Sequence, residues 1–217
     1  MTKVFRFLFL AVFLWSAMVV SQAQKQLPNI LFIHTDDLGY HDLSHTGSAI
    51  YQTPHIDQLA QSSIRFEQAY SNYPRCTPSR YGMMTGTYPV NEDHGNLVAI
   101  PHNQNMIRQF DKAGYQLGYI GKWHLGDSTN TPVKFGFDYS FAAGQTGGTG
   151  SHFYPFNTRG NQTGEKSPMP DVEAYAKPGD YLADVLTNAT MDYIRQCDRE
   201  QPFMAILAFY AVHPFGS

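Results

Sequence analysis

The feature that most constrains the fold is an alternation of short, continuous apolar runs with stretches of helical periodicity. Apolar runs occupy residues 30–33, 117–123 and 203–212. Such runs are typical of strands buried on both faces, as in a parallel sheet. We therefore predict an α/β fold with a mainly parallel central sheet flanked by helices.

The helical stretches lie between these runs. Thr53 and Pro54 suit the start of a first helix, and Gly114 suits the end of a second. The strongest periodicity places six side chains on one side of a third helix: Leu182, Val185, Leu186, Ala189, Tyr193 and Ile194. Residues 141–179, rich in Gly, Pro, Asn and Thr, are too long for an ordinary connection, so we predict a functional surface loop there.

The first 23 residues have the pattern of a secretory signal peptide. Lys3 and Arg6 precede an apolar run at residues 7–20, and Ser21 and Ala23 supply the small residues of a cleavage site. An uncleaved anchor is the alternative, although the run is short for a membrane span. We predict export to the periplasm or the extracellular space (the secretory or lysosomal route in a eukaryote), with no membrane span after cleavage.

The charge of the chain excludes one class of partner. The formal net charge is −3 and becomes −5 without residues 1–23, because two cations and no anions are lost. No broad basic field remains to attract nucleic acid, so we predict no nucleic-acid partner. An anionic substrate would have to be held by a few local cations.

Four groups of chemically active residues fall near predicted strand ends or a helix start, where ligands bind in open α/β sheets. The first is Asp36–Asp37, directly after the first apolar run. Two carboxylates in a loop can converge on one cation, and their hard oxygens favour Ca²⁺ or Mg²⁺ over zinc. The alternative is an ordinary turn or helix cap.

The second group is Cys76 with Arg80, in the stretch CTPSR. A cysteine at a helix N-terminus with arginines nearby has a reactive thiolate, and a residue four positions later lies on the same helical face. The alternative is a disulfide with Cys197, the only other cysteine.

The third and fourth groups contain histidines. In GYIGKWHLG, an extended backbone puts Lys122 and His124 on one face and Trp123 on the other, which suits oxyanion binding and proton transfer. The alternative is a solvent-facing strand edge with Trp123 in the core. His213 follows the last apolar run and is a candidate catalytic residue. The alternative is that His213 has a structural role.

Taken in order, these segments resemble the sulfatase family of the alkaline-phosphatase superfamily. The resemblance rests on five blocks: PNILFIHTDDLGY, CTPSR (the C-x-P-x-R signature), GTYP, GYIGKWHLG and FMAILAFYAVHP. It runs from Pro28 to about Pro214. It implies an alkaline-phosphatase-like α/β fold, in which residues 24–217 are the N-terminal portion of the catalytic domain and the sheet is incomplete at the C-terminus.

The resemblance also implies the chemistry. Cys76 would be oxidised by a separate maturation enzyme to formylglycine, an aldehyde. One hydroxyl of its hydrate would attack the sulfur of a sulfate monoester, and the second would lose its proton so that sulfate leaves. Asp36, Asp37 and the modified Cys76 would ligate Ca²⁺, with Mg²⁺ as the alternative metal.

By the same resemblance, Arg80 would hold the hydrate, Lys122 would bind sulfate and hydrate, and His124 would be the base for sulfate elimination. His213 would contact the sulfate and protonate the leaving oxygen. We prefer a sulfated carbohydrate to an aryl sulfate as substrate, because aromatic-rich loops suit sugar stacking. The candidate substrate contacts in loops are His94, His152, Tyr154 and Arg159.

The resemblance is incomplete at one end. The family supplies further metal ligands and a second active-site lysine downstream of the strand that ends at His213. We therefore expect residues 24–217 alone to bind the cation poorly and to turn over little. Two alternatives remain: a phosphatase or phosphodiesterase of the same superfamily, and a non-catalytic secreted module with a Cys76–Cys197 bridge.

Overall fold

The computed structural model describes residues 27–89, 105–126, 130–156, 169 and 171–214. The predicted signal peptide (residues 1–23) and two loop candidates, His94 and Arg159, lie outside the described residues. Within the described ranges, no helix is long and apolar enough to cross a membrane.

Four parallel strands form one sheet in the part of the chain that the structure describes. They are β1 (Ile30–His34), β2 (Gln116–Gly121), β3 (Tyr139–Phe141) and β4 (Phe203–Ala208), in the spatial order β1-β4-β2-β3. The predicted α/β fold with a mainly parallel sheet is confirmed. Because all four strands run the same way, their carboxyl ends meet at one edge.

Six helices connect or flank these strands in the described ranges: α1 (Pro54–Gln61), α2 (Cys76–Thr85), α3 (Ile107–Lys112), α4 (Pro132–Phe135), α5 (Val172–Tyr175) and α6 (Leu182–Gln196). Two short 3₁₀ turns, Tyr40–Asp42 and Ser44–Thr46, follow β1. The predicted third helix is α6, which packs against β2 and β4 with the apolar side that the periodicity indicates.

The core lies on both faces of the sheet. Successive side chains of β4 alternate between two apolar clusters, with Ile206 in one and Leu207 in the other. Tyr119 and Trp123 belong to the first cluster, and α6 contributes Leu186 to the second. The central strands therefore have the double burial that continuous apolar runs predict.

Strand β1 departs from that prediction. Leu31, Phe32 and Ile33 are 45%, 41% and 54% exposed. In the described sheet β1 is an edge strand that pairs with β4 alone. Its predicted burial on both faces is wrong for the described residues, because an apolar run indicates a strand without indicating how many neighbours that strand has.

The segment after β3 also differs from a simple surface loop. Ala142, Phe156, Met169 and Val172 are buried in the second apolar cluster. These four residues of the predicted loop region therefore belong to the hydrophobic core.

The end of β2 generates a prediction about stability. Gly121 has φ +101°, and a Cβ there would lie 1.9 Å from the carbonyl oxygen of Ala208. Gly179 also has positive φ, +95°, but nothing lies within 4 Å of its would-be Cβ. We expect Gly121→Ala to lower the free energy of unfolding by about 3 kcal/mol and Gly179→Ala by about 1 kcal/mol in urea denaturation. Equal losses would contradict the close approach at Gly121.

Candidate active site

The chain segments that leave β1, β2 and β4 are tied together by backbone hydrogen bonds. The Asp36 N–H donates to the Ala211 carbonyl at 3.0 Å, and the Val212 N–H donates to the Asp36 carbonyl at 2.8 Å. The Lys122 N–H donates to the Ala208 carbonyl at 2.8 Å. The polar residues that follow three separate strands are therefore held at one place.

A buried ionic cluster occupies this place. Asp36, Arg80 and Lys122 are 5%, 1% and 0% exposed. The Lys122 ammonium donates to Asp36 Oδ2, and Arg80 Nη2 lies 3.5 Å from Asp36 Oδ1. Arg80 also donates to the Lys122 carbonyl, to which the Tyr119 hydroxyl donates at 2.6 Å. Two cations thus share one carboxylate, which leaves the cluster net positive.

A cavity of about 280 Å³ opens beside the cluster and is lined in part by Asp36, Asp37, Cys76 and Arg80. Asp37 has φ +57°, which breaks the strand geometry that would turn adjacent side chains to opposite faces. Its carboxylate is 57% exposed and lies 3.7 Å from Nε2 of His213. The two adjacent aspartates therefore reach one cavity, as the sequence predicts.

Cys76 is the first residue of α2 and lies at the wall of this cavity, with Arg80 one turn further along the helix. Both cysteines are free. Cys197 lines a different cavity with Gln116, at the amino end of β2. The length of β2, roughly 17 Å, separates that end from the carboxyl edge, so the alternative of a Cys76–Cys197 disulfide is wrong.

Lys122 and His124 reach the site without the extended backbone that the sequence predicts. The strand ends at Gly121, and His124 has φ +50°. Lys122 and Trp123 are both fully buried, so the alternative of a solvent-facing strand edge is wrong.

The imidazole of His124 is largely buried. Its Nε2 lies 3.3 Å from Thr77 Oγ1, and its Nδ1 has no hydrogen-bond partner among the described residues. Burial, together with the charges of Lys122 and Arg80, lowers the pKa of His124 to about 4. The ring is therefore neutral at pH 7 and able to accept a proton.

His213 follows β4 and faces Asp37. Its Nδ1 donates to the Pro214 carbonyl at 2.7 Å, which leaves Nε2 towards the carboxylate. His152 is only 9% exposed, and its Nε2 donates to the His213 carbonyl at 2.9 Å. His152 thus supports the backbone of His213. A direct contact of His152 with substrate stays a prediction.

The donors at the cavity fit part of a site for a hard cation. Within the described ranges, no group of three or more His, Cys, Asp or Glu residues is arranged to hold an ion. Asp36, Asp37 and position 76 face one cavity, but Ca²⁺ takes about six to eight oxygen ligands. These three positions therefore supply only some of the ligands that such an ion requires.

Sequence reasoning missed three residues at the site. Tyr119 closes the cluster through the Lys122 carbonyl, and Thr77 contacts His124. His34, the last residue of β1, lines the cavity, and burial together with Arg80 lowers its pKa to about 4. Thr77 is adjacent to Cys76 in the signature, and this adjacency is a sequence signal that indicates a position near the site. The other two depend on strand register.

Comparisons with known proteins show the family of the chain. The family model for sulfatases matches residues 28–217. An N-acetylgalactosamine-6-O-sulfatase of Bacteroides thetaiotaomicron is 37% identical over 137 residues, which cover 54% of this chain and 26% of that protein. The human N-acetylgalactosamine-6-sulfatase is 28% identical over 218 residues, which cover 87% of this chain and 40% of that protein. The chain therefore spans less than half the length of these relatives.

Solved structures give the same result. The structure of Ps i-CgsB in complex with k-i-k-neocarrahexaose has a TM-score of 0.69 and 30% identity, covering 87% of this chain and 46% of that one. The structure of BT4656 with its substrate D-glucosamine-2-N,6-O-disulfate has a TM-score of 0.65 and 26% identity, and the match covers 87% of this chain and 35% of that one. The predicted alkaline-phosphatase-like fold is confirmed.

The buried cluster generates a prediction about stability. Lys122→Met removes one partner of a buried ion pair and should lower the free energy of unfolding by about 3 kcal/mol or more. The double variant with Asp36→Asn should lose clearly less than the sum of the two single losses, because the pair is coupled. Chemical denaturation of the four proteins measures that coupling.

An exposed ion pair provides the control for this cycle. Arg65 and Glu67 lie 2.9 Å apart with side chains 51% and 71% exposed. The cycle of Arg65→Met with Glu67→Gln should give a coupling energy near zero. A coupling for Asp36 and Lys122 no larger than this control would contradict the structure.

The lowered pKa of His124 predicts how stability depends on pH. The unfolded histidine titrates near 6.5 and the folded one near 4. Between these values the unfolded chain binds more protons, so the free energy of unfolding falls as the pH falls through this window. His124→Asn should reduce the loss between pH 7 and pH 5 by roughly 1–2 kcal/mol. The same change at exposed His55 should have no such effect, and equal pH profiles for wild type and His124→Asn would refute the assignment.

Proposed function

Because the chain belongs to the sulfatase family, we propose that the protein hydrolyses sulfate monoesters of carbohydrates to an alcohol and inorganic sulfate. The observation that carries the proposal is the meeting of Cys76, from a C-x-P-x-R signature, with two aspartates and Arg80 at one cavity. Lys122 is buried behind this cavity and pairs with Asp36. The carbohydrate class is supported by the relatives, which include two N-acetylgalactosamine-6-sulfatases and a structure that holds a sulfated glucosamine.

We assign the family's two reactive groups to residues of this cavity. Cys76 is the residue to be converted to formylglycine by a maturation enzyme, and Asp36, Asp37 and the modified residue 76 are ligands of a divalent cation. Ca²⁺ is preferred over Mg²⁺ because flexible carboxylate sites with many ligands suit it. A hydrated aldehyde at residue 76 would supply a nucleophilic oxygen and a second hydroxyl for sulfate release, and a cation bound by Asp36 and Asp37 would supply Lewis-acid activation.

The cations of the cluster stabilise negative charge. Lys122 and Arg80 are buried and held by fixed hydrogen bonds, so they need little reorganisation as charge develops on the sulfate oxygens. In the described structure, both Lys122 and Arg80 pair with Asp36, so two positive charges face one negative charge. The two cations are thus placed locally in a protein of net negative charge, where they could hold the anionic group of a substrate.

The two histidines differ in their surroundings. His124 is neutral at pH 7 and has a nitrogen without a partner, as a base for sulfate elimination requires. His213 has its Nε2 atom 3.7 Å from a carboxylate oxygen of Asp37, a residue that lines the cavity. We assign His213 as the donor to the leaving oxygen from the family resemblance, with His152 bonded to its backbone carbonyl.

Export is part of the proposal. The pattern of residues 1–23 supports passage through a secretory pathway, after which the mature protein acts in the periplasm or outside the cell.

Mass spectrometry of the peptide that contains Cys76 tests the proposed function. In full-length protein from a host with the maturation enzyme, we expect residue 76 to have lost its sulfur and to react with a hydrazide probe. Sulfate release from a panel of sulfated oligosaccharides should track the extent of this conversion. Cys76→Ser should accept sulfate without releasing it, because serine lacks a second hydroxyl.

Two outcomes would contradict the proposal. An active protein with an unaltered thiol at residue 76 would exclude the formylglycine route. Hydrolysis of phosphate esters in preference to sulfate esters would favour the phosphatase or phosphodiesterase alternative.

A further inference from the structure

The imidazole of His124 is contacted by two residues to which the proposed function gives no role. Thr77 reaches it from the first turn of α2. Gly147 reaches it from the segment that follows β3, where a Cβ would lie 2.5 Å from Cε1 of the ring. Two elements that are distant in sequence therefore contact the same ring.

The contact with Thr77 selects one tautomer of the neutral ring. The Thr77 hydroxyl lies 3.3 Å from Nε2, and either atom can be the donor. If the hydroxyl donated, the proton of the ring would sit on Nδ1, which is buried without a partner in the described part of the chain. Buried N–H groups without an acceptor are rarer in proteins than under-satisfied buried acceptors. The favoured arrangement therefore has Nε2–H donating to Thr77, with the lone pair on Nδ1.

Gly147 restricts the position of the same ring. The hypothetical Cβ would approach Cε1, Nε2 and Nδ1 to 2.5, 2.9 and 3.1 Å. Contacts this short are not tolerated, and the ring is further held by the His124 N–H bond to the Gly144 carbonyl at 3.2 Å. Any side chain at position 147 must therefore displace the imidazole. At the next residue, Gly148, a Cβ would lie 3.3 Å from the ring of His213 and does not approach His124.

We propose that Thr77 and Gly147 are positioning residues that hold His124 in the Nε2–H tautomer and keep Nδ1 as its basic atom. The role of this base rests on the proposed function, but the tautomer and the ring position do not. Thr77, the residue after the signature cysteine, then orients the base that acts on residue 76.

The test that needs no activity is NMR of protein labelled with ¹⁵N in histidine. Long-range ¹H–¹⁵N spectra at pH 7 distinguish protonated from unprotonated ring nitrogens, and His124→Asn identifies the signals. We expect Nε2 of His124 to be protonated and Nδ1 to be unprotonated. Thr77→Val should mix the two tautomers, and Thr77→Ser, which keeps the hydroxyl, should restore the wild-type pattern.

The glycine is tested by matched substitutions in the same segment. Gly147→Ala should shift the His124 ring signals, whereas Gly148→Ala should leave them in place. Because Thr77→Val is nearly isosteric, the proposal stays testable if Gly147→Ala fails to fold. A protonated Nδ1 in wild type, or a Thr77→Val spectrum identical to wild type, would overturn the assignment.

Kinetics on sulfated oligosaccharides separate positioning from structure. Thr77→Val should lower kcat by about 10–100-fold with KM within about threefold, and Thr77→Ser should restore kcat. Conversion of residue 76, measured by mass spectrometry in each variant, excludes poor maturation as the cause. An unchanged kcat in fully converted Thr77→Val would overturn the positioning role. Wild type without sulfatase activity would instead contradict the proposed function and leave the NMR result standing.

Discussion

The site depends on one buried carboxylate. Asp36 is the only anion of a cluster that contains Arg80 and Lys122, and all three side chains are removed from water. Burying such charges is unfavourable unless each finds a partner with good geometry. The segments after β1 and β2 and the helix α2 must therefore meet in one arrangement, since any other leaves a buried charge unpaired. The cavity at which Cys76 lies is the space beside that arrangement.

The same cluster sets the protonation of its neighbours. His34 and His124 both lose water on folding and both face the cations, so neither is protonated at neutral pH. His213 lies further out, next to the carboxylate of Asp37. The cluster therefore keeps the two histidines beside its cations neutral.

Sequence reasoning recovered the parts of this design that depend on local pattern. The apolar runs predicted the parallel strands, and the four-residue spacing placed Arg80 and Cys76 on one face of α2. It did not recover features that depend on backbone turns or on tertiary neighbours. The bend at Gly121 buries Lys122 where an extended strand was expected. Likewise, the burial of His152 follows from packing against His213, for which no spacing rule exists.

Strand β1 carries a consequence of a different kind. Along its open side, the described chain presents unpaired backbone groups and three apolar side chains to solvent. An edge of this type is a template for a strand from another molecule. Within the described residues, an added strand would therefore pair at β1, on the opposite side of that strand from β4.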